Sequence, residues 1–255
     1  MLPMVYAHRL GREPGPDSSH AALRATLAAP VDGLETDVCL TTDGQLALLH
    51  DPWLQVGTTA TGWAHETTWA ALHDARLRDR FGVASAERPM LLDDLLDAAP
   101  AGMTVQLDVK THGDPALAEA TARAVCRRLA GRDDADRVEI LSFHAAVCAT
   151  AARLGRRARL IVWADYAPSA LARWARRAGV QGVCVEHFLL HEALVEQLRA
   201  GGLSVTTGTV NDIELASRVA RLGVEAITTD RPAGLLEESR SGAQRPARST
   251  AMILG

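Results

Sequence analysis

No stretch of the 255-residue chain approaches the roughly 20 consecutive apolar residues that a membrane-spanning helix requires, so no transmembrane segment is expected. A basic excess is also missing. Lys and Arg number 27 against 31 Asp and Glu, a net charge of -4, and without a positive footprint nucleic acid is not expected as a partner. The four cysteines, Cys39, Cys126, Cys148 and Cys184, show no C-x-x-C spacing, which argues against a disulfide framework or a zinc site and for reduced core thiols. The opening MLPMVYAHRL has no basic region leading into a long apolar stretch, so no signal peptide is read there and a cytoplasmic location is expected. Nor does a G-x-G-x-x-G follow the first apolar run, which weakens the case for a dinucleotide-binding open sheet.

What is present is a composition of 47% hydrophobic and 23% charged residues, enough to bury one large core in one barrel-sized domain. Short β-branched or apolar runs (MVYAH, GLETDV, QLALLH, MTVQLDVK, RVEILSF, ARLIVWA, GVCVEH, LSVTTGTV, VEAITTD) alternate with longer helical patterns, several ending in Gly. That alternation predicts repeated strand-helix units and a parallel sheet. If QLALLH is an excursion from the second unit, eight strands remain, the number of a (β/α)8 TIM barrel, whose active sites lie at the C-terminal ends of the strands. Residues 236–255 are low in apolar content over most of their length and are expected to form a flexible tail.

The strand ends therefore carry the functional reading. In GLETDV the period of two puts Glu35 and Asp37 on one face and Leu34 and Val38 on the other. TVQLDVK adds Asp108 and, on the same face, Lys110. Three acids gathered in a low-dielectric mouth repel one another, and one lysine is insufficient for three, so a divalent cation is the economical solution. Oxygen-only ligands select a hard ion, Mg²⁺ or Ca²⁺. His8 closes the first strand and His50 the excursion strand; two histidines beside these acids suit a general acid and a general base. Arg9 suits a phosphate, which its planar fork can grip twice. Together these groups point to phosphoryl-ester chemistry on a small-molecule substrate.

In ordered motifs from Val5 to Pro232 the chain resembles the glycerophosphodiester phosphodiesterases: His8-Arg9-Leu10, five residues and then PDSS, followed by ETDVCLTTDGQLALLHD, TT at Thr58-Thr59, RPMLLDDLL, LDVK, SF at Ser142-Phe143, and TVN with LGVEAITTDRP. The resemblance implies a single (β/α)8 domain over residues 1–235 with a small insertion after the second strand at about residues 51–86. It implies metal-dependent hydrolysis of glycerophosphodiesters to glycerol 3-phosphate and an alcohol. Carried onto this chain, it makes His8 and His50 the acid/base pair, Glu35, Asp37, Asp108 and Asp17 the metal ligands, and Arg9 and Lys110 the phosphate contacts.

Departures accompany the matches. Asp17 and Asp108 stand where the family usually has Glu, Leu10 where it has Gly, and Gly208 where it often has Trp. Two alternatives follow: a lysophospholipase D or sphingomyelinase D-like enzyme on the same barrel, or a non-catalytic binder of phosphate ligands. The first needs an exposed apolar surface, for which Trp53, Trp63 and Trp69 are the candidates; packing of the insertion onto the barrel is the preferred role for them. Glu186, Trp163 and Asn211 close further strands; capping of the next helix is the commoner role for an Asn placed like Asn211.

Overall fold

The structure, a computed structural model, describes residues 2–13, 15–111 and 113–243. Its nine strands are β1 (Met4–Ala7), β2 (Gly33–Leu40), β3 (Leu46–Ala47), β4 (Thr104–Val109), β5 (Val138–Ser142), β6 (Arg157–Val162), β7 (Gly182–Val185), β8 (Ser204–Thr207) and β9 (Ala226–Thr229). They run in the order β1-β9-β8-β7-β6-β5-β4-β2-β3, and a further parallel pairing of β1 with β2 closes the ring. Eight parallel strands thus form a (β/α)8 barrel, and β3 is the excursion, antiparallel to β2 with Cys39 opposite Ala47. β2 is buried along seven of its eight residues, as a strand covered inside by barrel side chains and outside by helices must be.

Helices α1 (His20–Leu27), α2 (Leu54–Gly57), α3 (Trp69–His73), α4 (Leu92–Ala98), α5 (Pro115–Ala130), α6 (Ala145–Arg153), α7 (Pro168–Ala178), α8 (Glu192–Ala200), α9 (Ile213–Arg221) and α10 (Pro232–Ala243) complete the chain. Their starts follow capping chemistry. Ser19, Asp114 and Asp212 accept the first free amides of α1, α5 and α9, and α5 and α7 carry Pro in the first turn. One large core, with Leu34, Leu107, Ile140, Val183 and Ile227 among its members, fills the space between barrel and helices.

The inward-facing residues include buried charged side chains at both ends of the barrel. At the strand starts, Gln106, Glu139 and Arg159 form a buried network, and Gly182 leaves room for it, since a Cβ there would sit 2.5 Å from an Arg159 nitrogen. At the strand ends lie Glu35, Asp37, Asp108, Leu141, Ile161 and Cys184, around a cavity.

Between β3 and α4 the chain builds a second small core from Cys39, Ala47, Leu49, Leu54, Ala64, Leu72 and Leu77. Trp69 packs against this core, while Trp53 and Trp63 meet edge to face with centroids 4.5 Å apart. Residues 236–243 of the expected tail belong to α10, anchored by the buried Leu235 and by an Arg231–Glu238 ion pair of 2.5 Å. The rest of that segment, residues 244–255, lies outside the described residues.

Candidate active site

The first strand ends in a sharp bend. Arg9 (φ 49°) and Leu10 (φ 63°) both take left-handed backbone before Gly11 at φ 90°. For a leucine this conformation costs on the order of 1–2 kcal/mol. It is held because Leu10 is wholly buried in the main core and its carbonyl accepts from the Thr26 hydroxyl at 2.7 Å. The bend aims the Arg9 amide at Glu35, donating to Oε2 at 2.9 Å, and leaves His8 facing the barrel axis.

The acids arrive by strand register. Asp37 and Asp108 are direct partners across β2 and β4, and Glu35 sits one inward position below Asp37. Lys110, just past β4, reaches back between the two aspartates, 2.9 Å from Asp37 and in a very short contact with Asp108. Burial alone pushes Asp37 up, but Lys110, His50 and Arg9 outweigh it and hold its carboxyl below the usual range. Burial wins at Asp108, which is raised despite Lys110. It also wins at Glu35, pushed up to about 7 by burial and then by the Asp37 charge. Lys110, lowered by burial but surrounded by carboxylates, is held firmly protonated.

The charge balance differs from the sequence-based argument in one respect. Arg9 adds its charge to that of Lys110, with Nε 3.6 Å from Asp37, and Glu35 can carry a proton near neutrality, so the acids are neutralised by the chain's own groups. Among the described residues no group of three or more His, Cys, Asp or Glu stands ready to hold a metal ion. The donor chemistry nevertheless suits a hard cation: Asp37 Oδ2 and Asp108 Oδ1 are buried oxygens without a hydrogen-bond partner, an arrangement that is costly unless something positive meets them. Asp17 is not with them. Its Oδ2 accepts from Arg9 at 2.7 Å and its Oδ1 from Arg12 at 2.8 Å, and it lines a neighbouring groove instead of the main cavity. In this structure Asp17 thus clamps two arginines and stands apart from Glu35, Asp37 and Asp108.

Each histidine has a carboxylate behind it. His50 Nδ1 lies 3.1 Å from Asp51 without hydrogen-bond alignment. His8 Nδ1 is 2.6 Å from Asp230 Oδ1, and its Nε2 faces Glu35 at 3.9 Å. Burial lowers the His8 pKa, but the Asp230 hydrogen bond and the Glu35 charge more than compensate and leave it raised. Asp230 is fixed in turn by Asn211, which donates to its Oδ2 at 2.6 Å and accepts from its amide at 2.8 Å. Asn211 thus holds Asp230, while Asp212 does the capping of α9. Asp230 was not singled out as a site residue; the available signal was its place closing the last strand, which pairs with the first.

His8, Arg9, Glu35, Asp37, His50, Asp108 and Lys110 all line one cavity of about 260 Å³, with Phe143, Cys184, Glu186, Gly208 and Thr209 among the other walls. Trp163 stands outside that lining, 56% exposed. Gly208 admits no side chain, because a Cβ would lie 1.9 Å from the Thr228 hydroxyl. Burial pushes the Cys184 thiol up to about 12, so it is a wall and not a nucleophile.

A (β/α)8 barrel whose mouth gathers two imidazoles, two fixed cations and buried carboxylates belongs to the class of barrel enzymes that work on small anionic esters. The comparison with known families is specific: the model of the glycerophosphoryl diester phosphodiesterase family matches residues 8–234, and the chain belongs to that family of phosphoric diester hydrolases. The glycerophosphodiester phosphodiesterase of Caldanaerobacter subterraneus is 25% identical over 95% of this chain and 100% of its own. A glycerophosphoryl diester phosphodiesterase structure from Silicibacter pomeroyi superimposes with a TM-score of 0.82 at 24% identity, covering 95% of this chain and 94% of that one. An Oleispira antarctica phosphodiesterase in complex with its product sn-glycerol-3-phosphate gives a TM-score of 0.80 at 23% identity, covering 94% and 97%. No helix among the described residues is long and apolar enough to cross a membrane.

Proposed function

We propose that this chain hydrolyses glycerophosphodiesters to glycerol 3-phosphate and an alcohol, with His8 and His50 as the proton-transfer pair. The observation that carries this reading is the meeting of both histidines with Arg9 and Lys110 in one cavity. The two cations hold the phosphate and offset the charge that builds on it as the fifth oxygen approaches. His50 takes the proton from the attacking hydroxyl, a water or the substrate's own glycerol hydroxyl, and a new P–O bond forms as the bond to the alcohol oxygen breaks. His8, its protonated form favoured by Asp230, gives its proton to the departing alkoxide. If a glycerol hydroxyl attacks first, water opens the resulting cyclic phosphate with the two roles exchanged.

Glu35, Asp37 and Asp108 are the side chains that would hold a Mg²⁺ or Ca²⁺ ion, and the unpartnered oxygens of the two aspartates support that role. When bound, such an ion supplies further positive charge to the phosphate. The test is release of glycerol 3-phosphate from glycerophosphoethanolamine and glycerophosphocholine after EDTA treatment, then with Mg²⁺ or Ca²⁺ restored, beside metal binding by calorimetry. Turnover that returns with one ion supports both parts of the reading. Undiminished turnover in EDTA removes the metal, and silence on both diesters with any ion removes the substrate class.

One observation favours a second reading, a lysophospholipid as substrate. Phe143, Trp163, Tyr166 and Phe188 follow β5, β6 and β7 with 43%, 56%, 49% and 66% exposure, a more apolar rim than the insertion tryptophans supply. Release of choline from lysophosphatidylcholine at a rate above that from glycerophosphocholine would establish it.

A further inference from the structure

In a cavity arranged to hold an anion, one carboxylate is unaccounted for. Glu35 accepts the Arg9 amide, and Asp37 and Asp108 flank the Lys110 ammonium. Glu186 lines the same cavity, and no hydrogen bond or ion pair holds it among the described residues. The imidazoles of His187 and His8 act on it only through space, and neither forms an ion pair with it. A half-buried, uncompensated carboxylate repels a phosphodiester, so its presence lowers affinity unless the substrate brings a positive charge to meet it.

The ring order of the barrel shows where that charge would sit. Arg9 and Lys110 follow β1 and β4, the two neighbours of β2, and β7, which Glu186 follows, is the fourth strand from β2 in either direction around the eight. The two fixed cations, with the Asp37 and Asp108 carboxylates they meet, therefore lie on one side of the cavity, and Glu186, without such a partner, lies diametrically opposite. A phosphate held by Arg9 and Lys110 would have Glu186 across the mouth from it, within the same cavity. Phe143, which follows β5 on the way round from Lys110 to β7, lines this path with its ring 5.4 Å from the Lys110 ammonium, and an aromatic face is a favourable neighbour for a cation.

We infer that Glu186, with the Phe143 ring beside its path, is the subsite for the alcohol arm and selects diesters whose alcohol carries an ammonium group. The inference rests on the phosphodiesterase reading and deepens it by naming the substrate's charge pattern, a phosphate and a cation a few bonds apart. An uncharged glycerol arm at the same place would use Glu186 only as a hydrogen-bond acceptor, and the two roles separate by experiment.

The measurement is kcat/KM on glycerophosphoethanolamine and on glycerophosphoglycerol, for the native metal-restored protein, for Glu186→Gln and for Glu186→Lys. A charge-selective subsite predicts a native preference for the ethanolamine ester, a fall of that preference by about tenfold in Glu186→Gln carried mainly by KM, and its reversal in Glu186→Lys. An unchanged ratio between the two esters in both variants, whether or not the rates themselves drop, overturns the inference and leaves Glu186 a glycerol contact or a packing residue. A native protein silent on both esters fails earlier, at the hydrolase reading, and takes this inference with it.

Discussion

The two ends of this barrel bury similar charges and treat them in opposite ways. At the floor, Glu139 receives Arg159 through both oxygens at 3.0 and 3.1 Å and Gln106 at 2.7 Å, while the remaining Arg159 nitrogen donates to the carbonyls of Val183 and Ser204. Glu139 also accepts from the half-exposed Arg157 at 3.4 Å, so its carboxylate is met entirely by the chain's own groups and the network is closed. At the mouth, Asp37 Oδ2, Asp108 Oδ1, Arg9 Nε and His50 Nδ1 are buried with no hydrogen-bond partner. Buried polar atoms left in that state are costly, and four of them on charged or titratable side chains around one cavity separate a functional use of charge from the structural one at the floor. The floor carboxylate is met by the chain's own groups; the mouth leaves buried polar atoms facing the cavity.

That contrast can be broken first at the floor. Arg159→Ala removes the buried cation facing Glu139 and leaves that carboxylate only Gln106 and the half-exposed Arg157, and loss of one partner from such a buried pair costs about 3–5 kcal/mol. For a domain of this size the midpoint should fall by on the order of 10 °C in a thermal melt, with turnover per folded molecule kept at low temperature. A fall of less than a degree or two would mean that the floor network is not closed in solution.

At the mouth, Asp230→Asn should leave the melt nearly unchanged and lower kcat on the order of tenfold to a hundredfold, a share of what proton transfer contributes. The sign of the pH effect follows from the cause. Asp230 raises the His8 pKa against the effect of burial, so its loss lets His8 give up its proton at lower pH, and the alkaline limb of the rate profile should move to lower pH. A limb that stays in place separates Asp230 from His8.

The smallest effect is expected at Asp17. Its side chain is 27% exposed and pairs with Arg9 and Arg12, and partly exposed pairs of this kind contribute roughly 0.2–1 kcal/mol. Asp17→Asn should therefore raise KM only about twofold to fivefold. A loss of a hundredfold or more would restore Asp17 to the metal site and blur the distinction between clamp and ligand.

Much of this was legible in the sequence because the relevant physics is local. The period of two placed Glu35, Asp37, Asp108 and Lys110 on inward faces, and alternating strand and helix patterns led to the closed barrel once QLALLH was set aside. The missing parts depend on contacts that periodicity does not encode. Asp230 meets His8 across 222 residues, through the closure of β9 on β1. Asp17 lies in an irregular loop, where spacing fixes no direction, and two arginines capture it. Alternation marks Glu139 and Arg159 as inward, yet only the packed barrel shows that they meet at the floor. The polar composition of residues 236–243 hid a helix whose anchors, Leu235 and Arg231, lie at its start or just before it.

If the unfinished end of the barrel is a phosphodiesterase site worked by His8 and His50, turnover depends on both imidazoles. This is read from kcat/KM for glycerol 3-phosphate release from glycerophosphoethanolamine by the native protein, His8→Ala and His50→Ala, each confirmed folded by its melt. A loss of about 10²–10⁴-fold is expected in each variant, with the melting midpoint within a few degrees of native. Native turnover in either variant would exclude that histidine from the chemistry.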